Sequence, residues 1–180
     1  MPKAKKTGAV ANAVAFLRGV NVGGNNVVPM AKVVAMIESL KLGAVRSVGH
    51  AGNILFDGGG ADDDALKKKL EAGFEKKLGI ACVVVVRKLD ELKALVESEP
   101  FGKVKPEVTR YVALLAGAPA KDVKPTRNEK EGWDLFEIRG HDVFFKSWKV
   151  NGRSTFPIVD KLFGVPATVR NWNTVEKVTK

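Results

Sequence analysis

The sequence predicts an α+β protein with a ferredoxin-like βαββαβ first half followed by a second, smaller α+β half. Three observations lead there. Apolar stretches of strand length alternate with segments whose apolar residues recur at helical spacing, and glycine and proline punctuate the boundaries between them. Late in the chain, Gly140-His141 forms a two-residue turn between two further strand-like runs.

Residues 11–17 are mainly apolar and read as the first strand. After Pro29, which suits a first helical turn, Met30, Val33, Val34, Ile37 and Leu40 recur at helical spacing, and Gly43 is expected to end that helix. Residues 45–48 and 54–56 read as two strands joined by Gly49-His50-Ala51-Gly52-Asn53. Asp62, Asp63 and Asp64 place negative charge at the start of a second helix, where the dipole favours it. Leu78-Gly79 ends that helix before a strand over residues 80–86 that buries Cys82.

The second half is less regular. A helix is expected over residues 89–98, broken by Pro100-Phe101-Gly102, and a strand over 110–116. Gly117, Pro119, Pro125 and Gly132 among many charges make residues 117–132 a loop with room for a short helix. Strands over 135–139 and 142–146 flank the Gly140-His141 turn, and short helices are expected over 156–163 and 171–178, the last capped by Asn171 or Asn173. The expected organisation is a flexible basic tail over 1–9, a ferredoxin-like half over 10–88 and the second α+β half over 89–180.

With 180 residues, 45% of them hydrophobic, the chain can bury a substantial core. No apolar run reaches the roughly 18 residues a membrane span needs. The opening Met-Pro-Lys-Ala-Lys-Lys-Thr-Gly is followed by only a strand-length apolar stretch, which reads as a tail rather than a signal peptide. The single Cys82 excludes an internal disulfide, and a reducing cytoplasm is the expected compartment.

The net charge of +10 favours encounter with nucleic acid or other polyanions. Its distribution offers a second explanation: Lys3, Lys5 and Lys6 lie in the tail, while Lys67, Lys68, Lys69, Lys76 and Lys77 flank the apolar stripe Leu66, Leu70, Phe74 and Leu78 as a solvated helix face. A nucleic-acid partner is therefore one expectation and a generic basic surface the other.

Three polar segments concentrate Arg, Asn and Gly where strands stop. In Arg18-Gly-Val-Asn-Val-Gly-Gly24 the glycines allow close approach of a ligand to the backbone beside the Arg18 guanidinium. The segment lacks the Gly-Lys-Ser/Thr of a phosphate loop and the spacing of a dinucleotide fingerprint, and a tight turn held by Asn21, Asn25 and Asn26 is the simpler explanation of it. Gly152-Arg153-Ser154 and Arg170-Asn-Trp-Asn-Thr174 follow. Arg153 and Arg170 suit phosphate or carboxylate, and Trp172 suits a base or sugar. Equally, Trp172 and Val175 could pack the last helix into the core with Asn171 as cap and Arg170 paired internally.

His50 and His141 are the only histidines, so a histidine or thiolate metal cage has no support, and no Gly-x-Ser-x-Gly elbow is present. His50, in the glycine corner, could carry protons near neutrality or serve as a turn residue.

At these segments the chain resembles a bacterial family catalogued as domain of unknown function 1697. The resemblance rests on residues 17–24, Pro29-Met30, Gly52-Asn53 with the strand to Phe56, Gly152-Arg153-Ser154 and residues 167–175, and runs from about residue 12 to the C-terminus. It implies a two-part α+β structure with a ferredoxin-like first half and brings no established activity. The chain departs from the family pattern at His50-Ala51, Val27, Thr155 and Phe156.

The expected function is binding of a polar or anionic ligand in the cytoplasm through Arg18, Asn21, Gly23, Gly24, Asn53, Arg153, Arg170 and Asn173. A small enzyme using the same cleft, with His50 as proton carrier and Arg18 or Arg170 stabilising negative charge, is one alternative. A nucleic-acid-binding protein using the basic surface and Trp172 is another. The sequence names no cofactor and leaves the oligomeric state open.

Overall fold

A computed structural model of the chain describes residues 10–21 and 27–180, and its contacts separate two units, Met1–Glu91 and Leu92–Lys180. Mixed helices and antiparallel sheets make the protein α+β.

The first unit runs β1 (Ala13–Leu17), α1 (Met30–Ser39), β2 (Gly43–Ser47), β3 (Asn53–Asp57), α2 (Asp63–Gly73), a π-helical turn over Phe74–Leu78 and β4 (Val84–Lys88). Its four strands pair in the order β2-β3-β1-β4, every neighbour antiparallel. Strand periodicity puts Ala13, Ala15 and Leu17 on one face with Ile54, Phe56, Val84 and Val86 of the neighbouring strands. These residues share one core with Val33 and Ile37 of α1 and Leu66 and Leu70 of α2, so both helices cover the same face. The Asp62 side chain caps α2 by accepting from the Ala65 amide at 2.8 Å, with Asp63 and Asp64 in the first turn, as the acidic run predicts.

Two boundaries differ from expectation. The first helix ends before Gly43: Lys41 takes the left-handed conformation at φ 62°, which frees Gly43 to open β2. Cys82 is buried but lies ahead of the strand, because pairing of β4 with β1 begins at Val84 opposite Leu17.

From β4 the chain enters α3 (Leu89–Glu97). The second unit then carries β5 (Thr109–Leu115), β6 (Thr126–Asn128), β7 (Trp133–Arg139), β8 (Asp142–Ser147), a ribbon of β9 (Lys149–Val150) and β10 (Arg153–Ser154), α4 (Val159–Phe163), β11 (Ala167–Asn171) and α5 (Trp172–Val178). Five strands pair antiparallel in the order β11-β5-β8-β7-β6. Ala113, Leu115, Leu135, Val143, Phe145 and Ala167 form a core with Val159 and Phe163 of α4. On the residues of opposite parity, Phe144 meets Phe101 and Trp172, their ring centroids 5.9 and 6.0 Å away.

Here too the structure corrects the expectation. Residues 117–132 contain the edge strand β6 and no helix, because Thr126–Asn128 zip onto β7. The helix expected over 156–163 is confined to Val159–Phe163, since Pro157 disfavours helical geometry at Phe156. Residues 167–171 form β11, paired along β5 in a tertiary contact that local propensity does not report. Asn171 both ends that strand and caps α5 by accepting from the Asn173 amide.

Candidate functional site

In the first unit, the segments after β1, between β2 and β3, and ahead of β4 meet at one end of the sheet. The meeting follows from register, because Phe16 pairs with Asn53 and Leu17 with Val84. The Leu17 amide donates to the Gly52 carbonyl at 2.8 Å and the Arg18 amide to the Val83 carbonyl at 2.9 Å, so Arg18 leaves the sheet between β3 and β4.

Asn21 fastens this junction. At φ 55° it occupies the left-handed region that asparagine tolerates, and its side chain works on both sides. Its carboxamide oxygen accepts from the Val28 amide at 2.7 Å; its nitrogen donates to the Val28 carbonyl at 2.9 Å and to the His50 carbonyl at 3.2 Å. Asn21 and Val28 are thereby tied to the β2–β3 corner. Asn53 is buried and closes that corner from within, donating to the Val48 carbonyl at 3.1 Å while the Val48 amide donates to the Asn53 carbonyl.

Arg18, Gly19, Gly49, His50 and Ala51 are exposed around this fastening. His50 enters it through its backbone carbonyl. The structure therefore brings Arg18, Asn21 and Asn53 to the same sheet end, Asn21 and Asn53 with structural side-chain bonds and Arg18 exposed. Gly23 and Gly24 lie outside the described residues.

The second unit places its three candidates in different surroundings. Arg153 is exposed on the β9–β10 ribbon, beside a cavity of about 380 Å³ lined also by Lys130, Glu131, Val150, Asn151 and Thr155. The ribbon is anchored by Ser147, whose buried hydroxyl donates to the Thr155 carbonyl and shares a hydrogen bond with Ser154, while Thr155 donates to the Glu131 carbonyl. Arg170 is buried within β11 and donates to the Thr168 hydroxyl at 2.6 Å and the Val169 carbonyl at 2.9 Å. Asn173, exposed at the start of α5, accepts from Arg110, which also pairs with Glu176 at 3.4 Å. Trp172 is only 2% exposed and packs against Phe101, so it is a core residue rather than a stacking platform for a base.

One feature of this unit escaped the sequence. Lys105, Lys146 and Lys149 line a cleft of about 750 Å³ with Arg127 and Trp148. Arg127 lies in β6, and without that strand nothing aligns it with β7 and β8. The Glu129 carboxylate, 2.6 Å away, holds the Arg127 guanidinium more firmly protonated than usual.

Among the described residues no group of three or more His, Cys, Asp or Glu side chains could hold a metal ion, and no helix is long and apolar enough to cross a membrane.

A family model described as Protein of unknown function (DUF1697) matches residues 10–144. No curated protein matches. Among solved structures, the conserved bacterial protein SP0830 from Streptococcus pneumoniae is similar at 20% identity, with a TM-score of 0.64 over 94% of this chain and 97% of that one. That likeness concerns the fold.

Proposed function

The chain belongs to the DUF1697 family of proteins of unknown function, and within it we propose a cytoplasmic protein that binds a small phosphate- or carboxylate-bearing ligand at the loop end of the first sheet. Arg18 supplies the charge, Asn21 holds the loop, and Asn53 keeps the opposing corner in place. The observation that carries this reading is the Asn21 side chain, which bonds Val28 on one side and His50 on the other. Backbone already held at residues 21, 28 and 50 loses little entropy when a ligand arrives. Arg18 and the glycine-corner residues Gly49, His50 and Ala51 are all exposed, and a guanidinium together with backbone amide dipoles is a combination suited to an anion. The lone buried thiol of Cys82 accords with a reducing compartment.

The test is a thermal-shift panel of inorganic phosphate, citrate and small dicarboxylates, repeated with Arg18→Ala. A charge-assisted hydrogen bond contributes about 1.5–3 kcal/mol, so the variant should bind the stabilising anion roughly tenfold to a hundredfold more weakly. Equal binding by Arg18→Ala, or stabilisation by none of the panel, would remove the proposal.

A further inference from the structure

The second unit holds a cleft whose chemistry differs from that of the loop junction. By register, Arg127 of β6 stands opposite Asp134 of β7, and Asp134 opposite Lys146 of β8, so three charged side chains form one row across the sheet. At the end of the row, the Arg127 guanidinium carbon lies 4.8 Å from the centroid of the Trp148 ring. Arg127 pairs with Glu129 at 2.6 Å and with Asp134 at 3.4 Å. Lys146 reaches over Phe136, its ammonium 4.5 Å from that ring centroid.

The charge balance decides what such a cleft attracts. The lining sets four cations, Arg127, Lys105, Lys146 and Lys149, against three carboxylates, Glu107, Glu129 and Asp134, and so keeps one net positive charge, with two of the carboxylates held by Arg127. A cationic ligand meets three ammonium groups here, and an apolar one would have to strip water from them. A bare inorganic anion uses the lysines but not the indole. The ligand that uses both carries a planar aromatic group and a negative charge together.

We propose that this cleft, with the Arg127–Trp148 pair as its platform and Lys105, Lys146 and Lys149 around it, binds a nucleotidyl group: the base packs on the guanidinium–indole pair and the phosphate engages the lysines. Guanidinium planes and aromatic rings are the surfaces on which unpaired bases stack. The volume of about 750 Å³ falls within the range of small-molecule sites. The platform is fixed from behind, since the Trp148 amide donates to the Gly132 carbonyl at 2.9 Å and the adjoining Ser147 anchors the β9–β10 ribbon. The net charge of +10 would speed arrival of either a free nucleotide or a single strand.

The experiment measures binding of AMP, ATP and fluorescein-labelled (dT)12 to the full chain at low and at physiological salt, with inorganic phosphate as competitor. Binding of at least one base-bearing probe is expected, weakened by salt, with inorganic phosphate a far poorer competitor at equal concentration. Trp148→Leu and the exposed charge reversal Lys149→Glu should each weaken it about tenfold or more. Saturable binding of AMP and ATP identifies free nucleotide as the source, whereas binding of (dT)12 alone identifies a single strand. The proposal is overturned if no base-bearing probe binds at millimolar concentration, if phosphate competes as well as ATP, or if Lys149→Glu, folded by circular dichroism, binds as tightly as wild type.

Discussion

Leu17 leaves no space for a side chain at residue 52. A Cβ placed on Gly52 would come within 2.7 Å of the Leu17 Cβ, and Gly52 sits at φ 69° where an L side chain is strained. The same carbonyl accepts from the Leu17 amide, so the two residues cannot move apart without breaking the bond that seats the corner on β1. The Gly-Asn pair at 52–53 is thus a packing requirement of the sheet end on which Arg18 stands.

Gly52→Ala is therefore expected to destabilise the protein by about 1–3 kcal/mol through overpacking and backbone strain. Urea denaturation of variant and wild type measures it. A change within a few tenths of a kcal/mol would mean that the corner yields to the added methyl group.

Asn21→Ala removes three hydrogen bonds from the junction at once. Partly solvated bonds of this kind contribute about 1 kcal/mol each or less, and the readout is local. Hydrogen exchange at the Val28 amide should accelerate while exchange in the β7–β8 hairpin stays as it was. Uniform acceleration through both units would show that Asn21 supports global stability instead.

Gly132 plays the corresponding part in the second unit. At φ 75° it lies so close to Trp148 that a Cβ would run into the Trp148 carbonyl. Gly132→Ala should destabilise that unit by about 1–3 kcal/mol and shift the Trp148 indole resonance. An unshifted indole would contradict the claim that Gly132 seats this tryptophan.

Asp63 provides a pH test. Burial, then repulsion from Glu91, raises its carboxyl above the ordinary value of 3.8 despite the attraction of Lys88 and Arg87. The folded state then holds the proton more tightly than the unfolded state, so stability falls as pH rises through 3.8 toward the folded value, and the penalty is complete above it. Relative to Asp63→Asn, wild type should lose stability as pH is raised across that window, in denaturation curves recorded from about pH 3 to 7. A difference that stays constant with pH would show that Asp63 titrates alike in both states.

Much of the first unit was legible because its signals are local. Apolar spacing after Pro29, the acidic run at Asp62 and the left-handed Gly79 each mark an element boundary with a few neighbouring residues. The second unit was less legible because its edge strands exist only through pairing: Thr126–Asn128 on β7 and Ala167–Asn171 on β5 carry no strong apolar alternation of their own. The site followed the same division. Arg18 and Asn21 were visible from composition, whereas the alignment of Arg127 with Lys146 depends on β6 and β7 bridging to β8. For Arg170 and Trp172 the sequence left a ligand contact and a packed interior both open, because it does not report burial; in the folded chain both are interior.

The central claim, an anion held by the loop end of the first sheet, is tested most directly by titrating 15N-labelled protein with inorganic phosphate and then citrate, following every backbone amide. Saturable shifts concentrated at residues 18–21 and 49–53, abolished in Arg18→Ala, are the predicted result. Shifts that grow linearly without saturation and spread over the exposed lysines Lys68, Lys69, Lys76 and Lys77 of the α2 region would contradict it, leaving the basic surface as a generic counterion for anions.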